Sequence, residues 1–363
     1  MKVLTIVLSV LAIMLSAQAA VLKVAADGTQ AFTDIQSAID AASPSDSIVV
    51  QGGAYTGFNV DKRLVIIGSG TGTGIGEGVF INGFCTISAG SDSTELRSLW
   101  ILDNPFGSTD SLASVLVIHS GLQNIFIWRC YLENNTTASN SGLVFQGYET
   151  SVEYSQCVFA HTGELTTVGH YGIYHRDNVS IVLTNCLFSG AQYIVDYGLV
   201  TDDGTITAKH CTFVSTGTTL YAAFSNIAGI YENCSFYSGT GTTYYNNNAP
   251  NLTYSYCAGT ALPPGVGAVL TTIASVDSLN YDDPRFSDYH PSVGSNLIDA
   301  GNPGSPFDLD GSAADIGIYG GQHPYVEDGV PDYPFAVQVE VPYSAPLDGT
   351  MRIWGRGRVG PGN

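Results

Sequence analysis

The 363-residue sequence carries 32 acidic against 12 basic residues, a formal net charge of −20 at pH 7, while only 12% of its residues are charged and 44% are hydrophobic. So acidic a chain repels nucleic acid and anionic lipid, and so much apolar content is incompatible with a disordered chain. The 42 glycines and 21 tyrosines suit an all-β fold of short strands and tight turns rather than a helical one.

In chain order, the first segment is Lys2, an apolar run from Val3 to Leu15, and then Ala17-Gln18-Ala19. That succession of charge, apolar core and small residues reads as a secretory signal peptide over residues 1–19, with cleavage expected after Ala19. The run falls short of the roughly 20 residues that a membrane-spanning helix needs. No later stretch qualifies, so no transmembrane segment is expected. The mature chain is expected to be secreted, extracellular or held at the cell surface.

Residues 20–46 are predicted to form an N-terminal cap. Thr33-Asp34-Ile35-Gln36 has the form of a capping box, and Phe32, Ile35, Ala38, Ile39 and Ala42 recur at helical spacing. The short helix should plug the open end of the structure that follows, which begins with a strand near Asp46-Ser47-Ile48-Val49-Val50.

Residues 47–275 are organised by a repeat in which an apolar residue, a cysteine and another apolar residue recur in fixed order. Cys130, Cys157, Cys186, Cys211, Cys234 and Cys257 follow one another at intervals of 23 to 29 residues. That interval is one coil of a parallel β-helix, three short strands per turn, with successive coils stacked at about 4.8 Å. The cysteines are then expected to form an inward-facing ladder beside a ladder of Phe and Leu two residues on. Ser98 is expected in the same slot one coil earlier. Seven cysteines in an exported chain raise the question of disulfides, but six are placed by the repeat and the total is odd, so buried free thiols are expected instead.

The stretch Asp34 to Tyr55, with its IQSAIDAA helix followed by DSIVVQGGAYTG, resembles the opening of pectin- and pectate-lyase-like β-helix proteins. Asp283-Pro284-Arg285-Phe286, Gly294 to Pro303 and Asp308 to Gly321 resemble the closing segment of bacterial extracellular β-helix proteins. Together with the repeat, the resemblance covers roughly residues 30 to 322. It implies an all-β, right-handed parallel β-helix (a solenoid) with a capping helix, an exported location and an Asp/Gly-rich C-terminal cap over 276–325. Residues 326–363 read as an appendage with candidate strands at 336–341 and 351–354 and a basic cluster of Arg352, Arg356 and Arg358. A sorting or anchoring segment and a capping hairpin are both open readings of it.

Polysaccharide lyases of this fold family bind calcium through outward carboxylates and use an arginine as the base that removes the proton beside the uronate carboxylate. Aligning coils on the cysteine ladder brings Gly172 to Asp177 beside Tyr193 to Tyr197 on the next coil and Gly142 to Gln146 on the one before. The candidate catalytic residues are therefore Arg176, Asp177 and Asp196. Tyr174, His175, Tyr197, Asp202 and Asp203 are the candidate substrate-binding residues. Read without the family, Asp202-Asp203-Gly204 is also an ordinary turn, and Arg176 beside Asp196 an ordinary surface ion pair.

Polygalacturonase-type hydrolases need an ordered set of motifs that this chain lacks: Gly169-His170-Tyr171-Gly172 precedes Asp202-Asp203 instead of following it. His161, His170, His175 and His210 show no metal-ligand spacing and are expected at the surface. Asp308, Asp310 and Asp315 surround Gly311 loosely as a calcium loop does, without the closing Glu of an EF-hand. Calcium is thus the one candidate cofactor, and no other is evident. Tyr171, Tyr174, Tyr193, Tyr197, Tyr221, Tyr244 and Tyr245 recur along the coils and offer apolar platforms to sugar rings.

Two functions compete on this reading. One is a glycan-binding, adhesin-like β-helix without a complete catalytic set, whose partner is an extracellular polysaccharide or a cell-surface glycan. The other is a calcium-assisted uronate lyase, or another carbohydrate-active enzyme, acting through Arg176.

Overall fold

A computed structural model describes residues 19–363 except 73–77, 103–113, 136–140, 163–169, 191–192, 197–203, 216–218, 222–227, 239–241, 245–250, 273, 275, 279–287, 330–334, 341–353 and 359–363. The signal-peptide reading of 1–19 therefore falls almost wholly outside the described residues. Among the described residues, three parallel sheets form the body, of ten, ten and eight strands. Each coil visits them in one order, here numbered sheets 1, 2 and 3. One coil runs through Ile125–Trp128, Tyr131–Asn134 and Ser141–Gln146, and the next through Ser151–Ser155, Val158–His161 and His170–His175. Every strand pairs in parallel with its counterpart on the coil before. Parallel strands joined by crossovers wind right-handed, and the expected right-handed parallel β-helix is the fold.

Alternation within strands explains why these segments form sheets. In Ile125–Trp128 the two isoleucines are buried while Phe126 and Trp128 are half exposed, and the same alternation holds for Ser180–Thr184. The corner between sheets 1 and 2 is a single residue in the left-handed region: Ser98, Arg129, Gln156, Asn185, His210, Asn233 and Tyr256 all have φ between 49° and 55°. The next residue then points inward. Because Tyr131 stands opposite Trp100, Leu99 occupies the slot of Cys130, and Ser98 is a corner residue. The expectation for Ser98 was thus off by one, since the left-handed corner is invisible in the sequence of a single coil.

The six repeat cysteines are buried free thiols. The Sγ of Cys157 donates to the Ile127 carbonyl at 3.3 Å and that of Cys186 to the Tyr154 carbonyl at 3.4 Å, each on the preceding coil. Beside them stand Phe159, Phe188, Phe213 and Phe236, with Phe159 and Phe188 stacked at 4.1 Å and 5°. Cys85 lies in sheet 3 opposite Leu116, away from this ladder.

The N-terminal cap departs from expectation in two details. Strand Val21–Val24 precedes the helix and pairs with Ser47–Val50 as the first strand of sheet 1. Helix α1, Ile35–Ala41, is capped by Asp34, whose carboxylate accepts from the Ser37 amide at 2.8 Å, so the cap lies one residue later than the Thr33 box. Ile35, Ala38 and Ile39 join the solenoid core as a plug.

The larger correction concerns the C-terminal segment. Residues 297–329 are not a lid on the far end. They form a strap that runs back along the outer face of sheet 2. There Leu297, Ile316 and Ile318 share one buried apolar cluster with the outer row that includes Trp100, Tyr131, Val158 and Leu187. The corner residues hold it in sequence. The Asn233 carboxamide accepts from the Asn302 amide at 2.7 Å, Asn185 donates to the carbonyls of Ile318 and Gly320 at 2.8 Å each, and Gln156 donates to the Pro324 carbonyl at 2.6 Å. Thr71, near the first coils, donates its amide to the Asp328 carbonyl. Beyond the strap, Phe335–Glu340 and Trp354–Arg358 pair antiparallel, while residues 351–353 of the second expected strand lie outside the described residues. Among the described residues no helix is long and apolar enough to cross a membrane.

Candidate functional site

Register settles which residues share the outer face of sheet 3. Val144 and Ile173 are buried in the core. The alternate positions Phe145, Tyr174 and Asp196 follow one another on three successive coils. Phe145 and Tyr174 stack at 6.1 Å and 26°. Just past the strand end, the Arg176 amide donates to the Gln146 carbonyl at 2.9 Å, which carries the strand pairing one residue further. The Arg176 guanidinium then lies 5.7 Å from the Phe145 ring centre, 5.8 Å from that of Tyr148 and 6.0 Å from that of Tyr174. Cation–π contacts of this length hold the charge over an aromatic cradle at the protein surface. Tyr148 is 44% exposed, so the cradle opens to solvent.

Arg176, Asp177 and Tyr174 are therefore adjacent as expected, and Asp196 stands one coil on, opposite Tyr174. The Asp177 backbone carbonyl accepts from the Glu149 amide at 3.1 Å, while one of its carboxylate oxygens, Oδ1, is buried without a hydrogen-bond partner. Tyr197, Asp202 and Asp203 lie outside the described residues. Phe145 and Tyr148 complete the arginine's surroundings and were not singled out by sequence reasoning. Their only signal is the strand alternation that puts Phe145 opposite Tyr174.

His175 is not on this face. It is fully buried, two residues from Ile173 on the inward set of positions, and burial pushes its imidazole down to about 4. His161 and His210 are likewise buried rather than at the surface. His210 is a corner residue. Its Nδ1 donates to the Asp315 carbonyl at 3.1 Å and its Nε2 accepts from the Asn233 side chain at 3.1 Å, while burial lowers its pKa to about 4. The expectation of surface histidines fails for these three because their strand and corner positions put them inside, a placement that side-chain polarity alone does not reveal; the side chain of His170 lies outside what is described.

The expected tyrosine series splits. Tyr171, Tyr193, Tyr221 and Tyr244 occupy one row of sheet 3, coil above coil. Tyr174 belongs to a different row, and Tyr197 and Tyr245 lie outside the described residues.

The carboxylates of the candidate calcium loop are engaged in the strap's own fold. Asp308 accepts from the amides of Asp315, at 2.9 Å, and Gly321. Asp315 accepts from the Asp299 amide at 2.7 Å, and Asp310 accepts from Ser312 at 2.9 Å. Burial raises the pKa of Asp308 and Asp315. Carboxylates spent on backbone donors do not fit a calcium ion, which takes six to eight oxygens. Among the described residues no group of three or more His, Cys, Asp or Glu is gathered as metal ligands.

No protein-family model and no curated protein matches the sequence. Among solved structures, a pectin methylesterase from carrot is similar at 14% identity over 66% of this chain and 82% of its own, with a TM-score of 0.45. The pectate lyase Pel9A is similar at 11% identity over 83% of this chain and 96% of its own, also with a TM-score of 0.45. A pectin methylesterase in complex with a hexasaccharide is similar at 16% identity, over 66% of this chain and 78% of its own, with a TM-score of 0.34. At such identities and scores these proteins lend the chain no activity, substrate or site residue.

Proposed function

We propose that the protein is an exported glycan-binding β-helix that takes an anionic polysaccharide on the outer face of sheet 3. One observation carries this reading: the Arg176 guanidinium sits over the rings of Phe145, Tyr148 and Tyr174, all within about 6 Å. In a chain with a net charge of −20, this is a local positive charge framed by apolar ring faces. A uronate presents the complement, a carboxylate for the guanidinium and a pyranose face for the rings. Asp177 follows the arginine in the chain and Asp196 stands opposite Tyr174 on the next coil, positions from which carboxylates could accept sugar hydroxyls.

The test is binding of polygalacturonate to the purified chain by calorimetry, with absorbance of unsaturated ends followed in parallel. Binding is expected without any rise in absorbance, and Arg176→Ala is expected to weaken it at least tenfold. No measurable binding by the parent chain would refute the reading. Absorbance that rises with the parent chain and not with Arg176→Ala would replace it with a uronate lyase in which Arg176 is the base.

A further inference from the structure

A second surface, on sheet 1 and the corner that joins it to sheet 3, adjoins the Arg176 cradle and has the chemistry of a different ligand. Along the outer face of sheet 1, Glu95, Phe126, Glu153 and Val182 stand in one row on four successive coils. They line a groove of about 380 Å³ with Phe126 at its centre. A second groove, of about 470 Å³, follows the corner between sheets 3 and 1 and shares Ser151 with the first. Its walls are amides, hydroxyls and one carboxylate, among them Gln123, Glu149, Asn178, Ser180 and Thr205. The two form one shallow trough along the solenoid axis.

The charges in the trough decide what it accepts. Arg97 is its one cation, and it is consumed by Glu95 in an ion pair. Glu149 and Glu153 add two exposed carboxylates, and apart from the paired Arg97 neither groove's lining includes a basic residue. An anionic chain is therefore repelled. Hydroxyl-rich, uncharged ligands are not, since carboxylates, amides and side-chain hydroxyls all bond sugar hydroxyls, and a half-exposed phenyl ring offers a flat face to a pyranose. Successive coils rise by about 4.8 Å, so a chain lying along the axis would meet in turn the carboxylate of Glu95, the ring of Phe126 and the carboxylate of Glu153. The walls lack the deep apolar pockets that anchor peptide side chains.

We infer that this trough is a second glycan site, specific for a neutral oligosaccharide, with Phe126 as the stacking platform and Glu153, Asn178 and Ser180 as the hydroxyl partners. It is independent of the acidic-glycan reading of sheet 3. A chain carrying both would tether a neutral polymer to an anionic one.

The experiment uses the full chain against immobilised neutral hexasaccharides of glucose, xylose, mannose and galactose, with a hexagalacturonate and a lysine-rich peptide as competitors. Binding to at least one neutral hexasaccharide is expected. It should weaken at least tenfold in Phe126→Thr, which installs the residue that Thr207 supplies three coils on in the same row. Glu153→Gln is expected to weaken it severalfold while leaving the fold intact, because Glu153 is exposed. Ile230→Thr, in the same outward row but outside the trough, is the matched control and should bind as the parent does. No binding to any of the four sugars, equal binding by Phe126→Thr and the parent, or displacement by the lysine-rich peptide but not by free sugar would each overturn the inference.

Discussion

Asn185 is the residue at which the link between solenoid and strap can be broken most cleanly. It is 1% exposed, holds φ at 50°, and donates both hydrogens of its carboxamide to strap carbonyls, those of Ile318 and Gly320. In Asn185→Ala the Gly320 carbonyl loses its partner inside the protein, a cost of about 1 to 3 kcal/mol. The Ile318 carbonyl keeps the Tyr325 amide, at 2.7 Å, and so loses only one of two bonds, worth about 1 kcal/mol. Placing alanine in the left-handed region adds about 1 kcal/mol more. The sum is about 3 to 5 kcal/mol against the closed strap, enough to raise local opening about a hundredfold or more. Native-state hydrogen exchange should therefore accelerate by that factor at the amides of Gly317 and Ile318, which bond the Asn233 carbonyl and the Thr212 hydroxyl. Asn185→Gly, which tolerates the corner geometry, should fall short of this by about 1 kcal/mol. Unchanged exchange at both amides, or a loss below about 1 kcal/mol in urea unfolding, would refute the assignment of the corner residues as the strap's anchors.

Two further outcomes follow from burial. His175 and His210 titrate near 4 in the folded chain against 6.5 when exposed, so the unfolded chain binds more protons between those values. Stability is therefore whole above pH 6.5 and falls as pH drops toward 4, by an amount of order 3 kcal/mol for each histidine. The urea midpoint should decline across that window and His210→Gln should flatten part of the decline, whereas a level profile would contradict the buried, neutral state. The seven thiols offer the other check. Burial pushes Cys85 and Cys130 up to about 12 and Cys157, Cys211, Cys234 and Cys257 well above the usual range. A thiol reagent at pH 8 is expected to label none of them in the native protein and all seven in denaturant. Rapid labelling of any one without denaturant would show that the core around it is open.

The cysteine interval was enough to read a coil of three strands, the inward thiol ladder and its phenylalanine neighbour, because a solenoid repeats its core in sequence as it does in space. The helical plug was legible for the same local reason, in the spacing of Ile35, Ala38 and Ile39. The segment Gly172 to Asp177 could be placed beside Tyr193 to Tyr197 and Gly142 to Gln146 by aligning coils, since register follows from the ladder. Tertiary structure decided what alignment cannot see. The left-handed corner put Leu99 rather than Ser98 in the cysteine row, and strand alternation sent His175 inward although it adjoins Arg176. The path of residues 297–329 rests on contacts between positions more than a hundred residues apart, such as Asn185 with Ile318, and on the apolar outer row of sheet 2 that the strap covers. No local pattern encodes so distant a pairing. The Asp-rich loop read as a calcium site is instead folded on its own backbone amides, because a carboxylate's partner is set by the chain path around it and not by its spacing in the sequence.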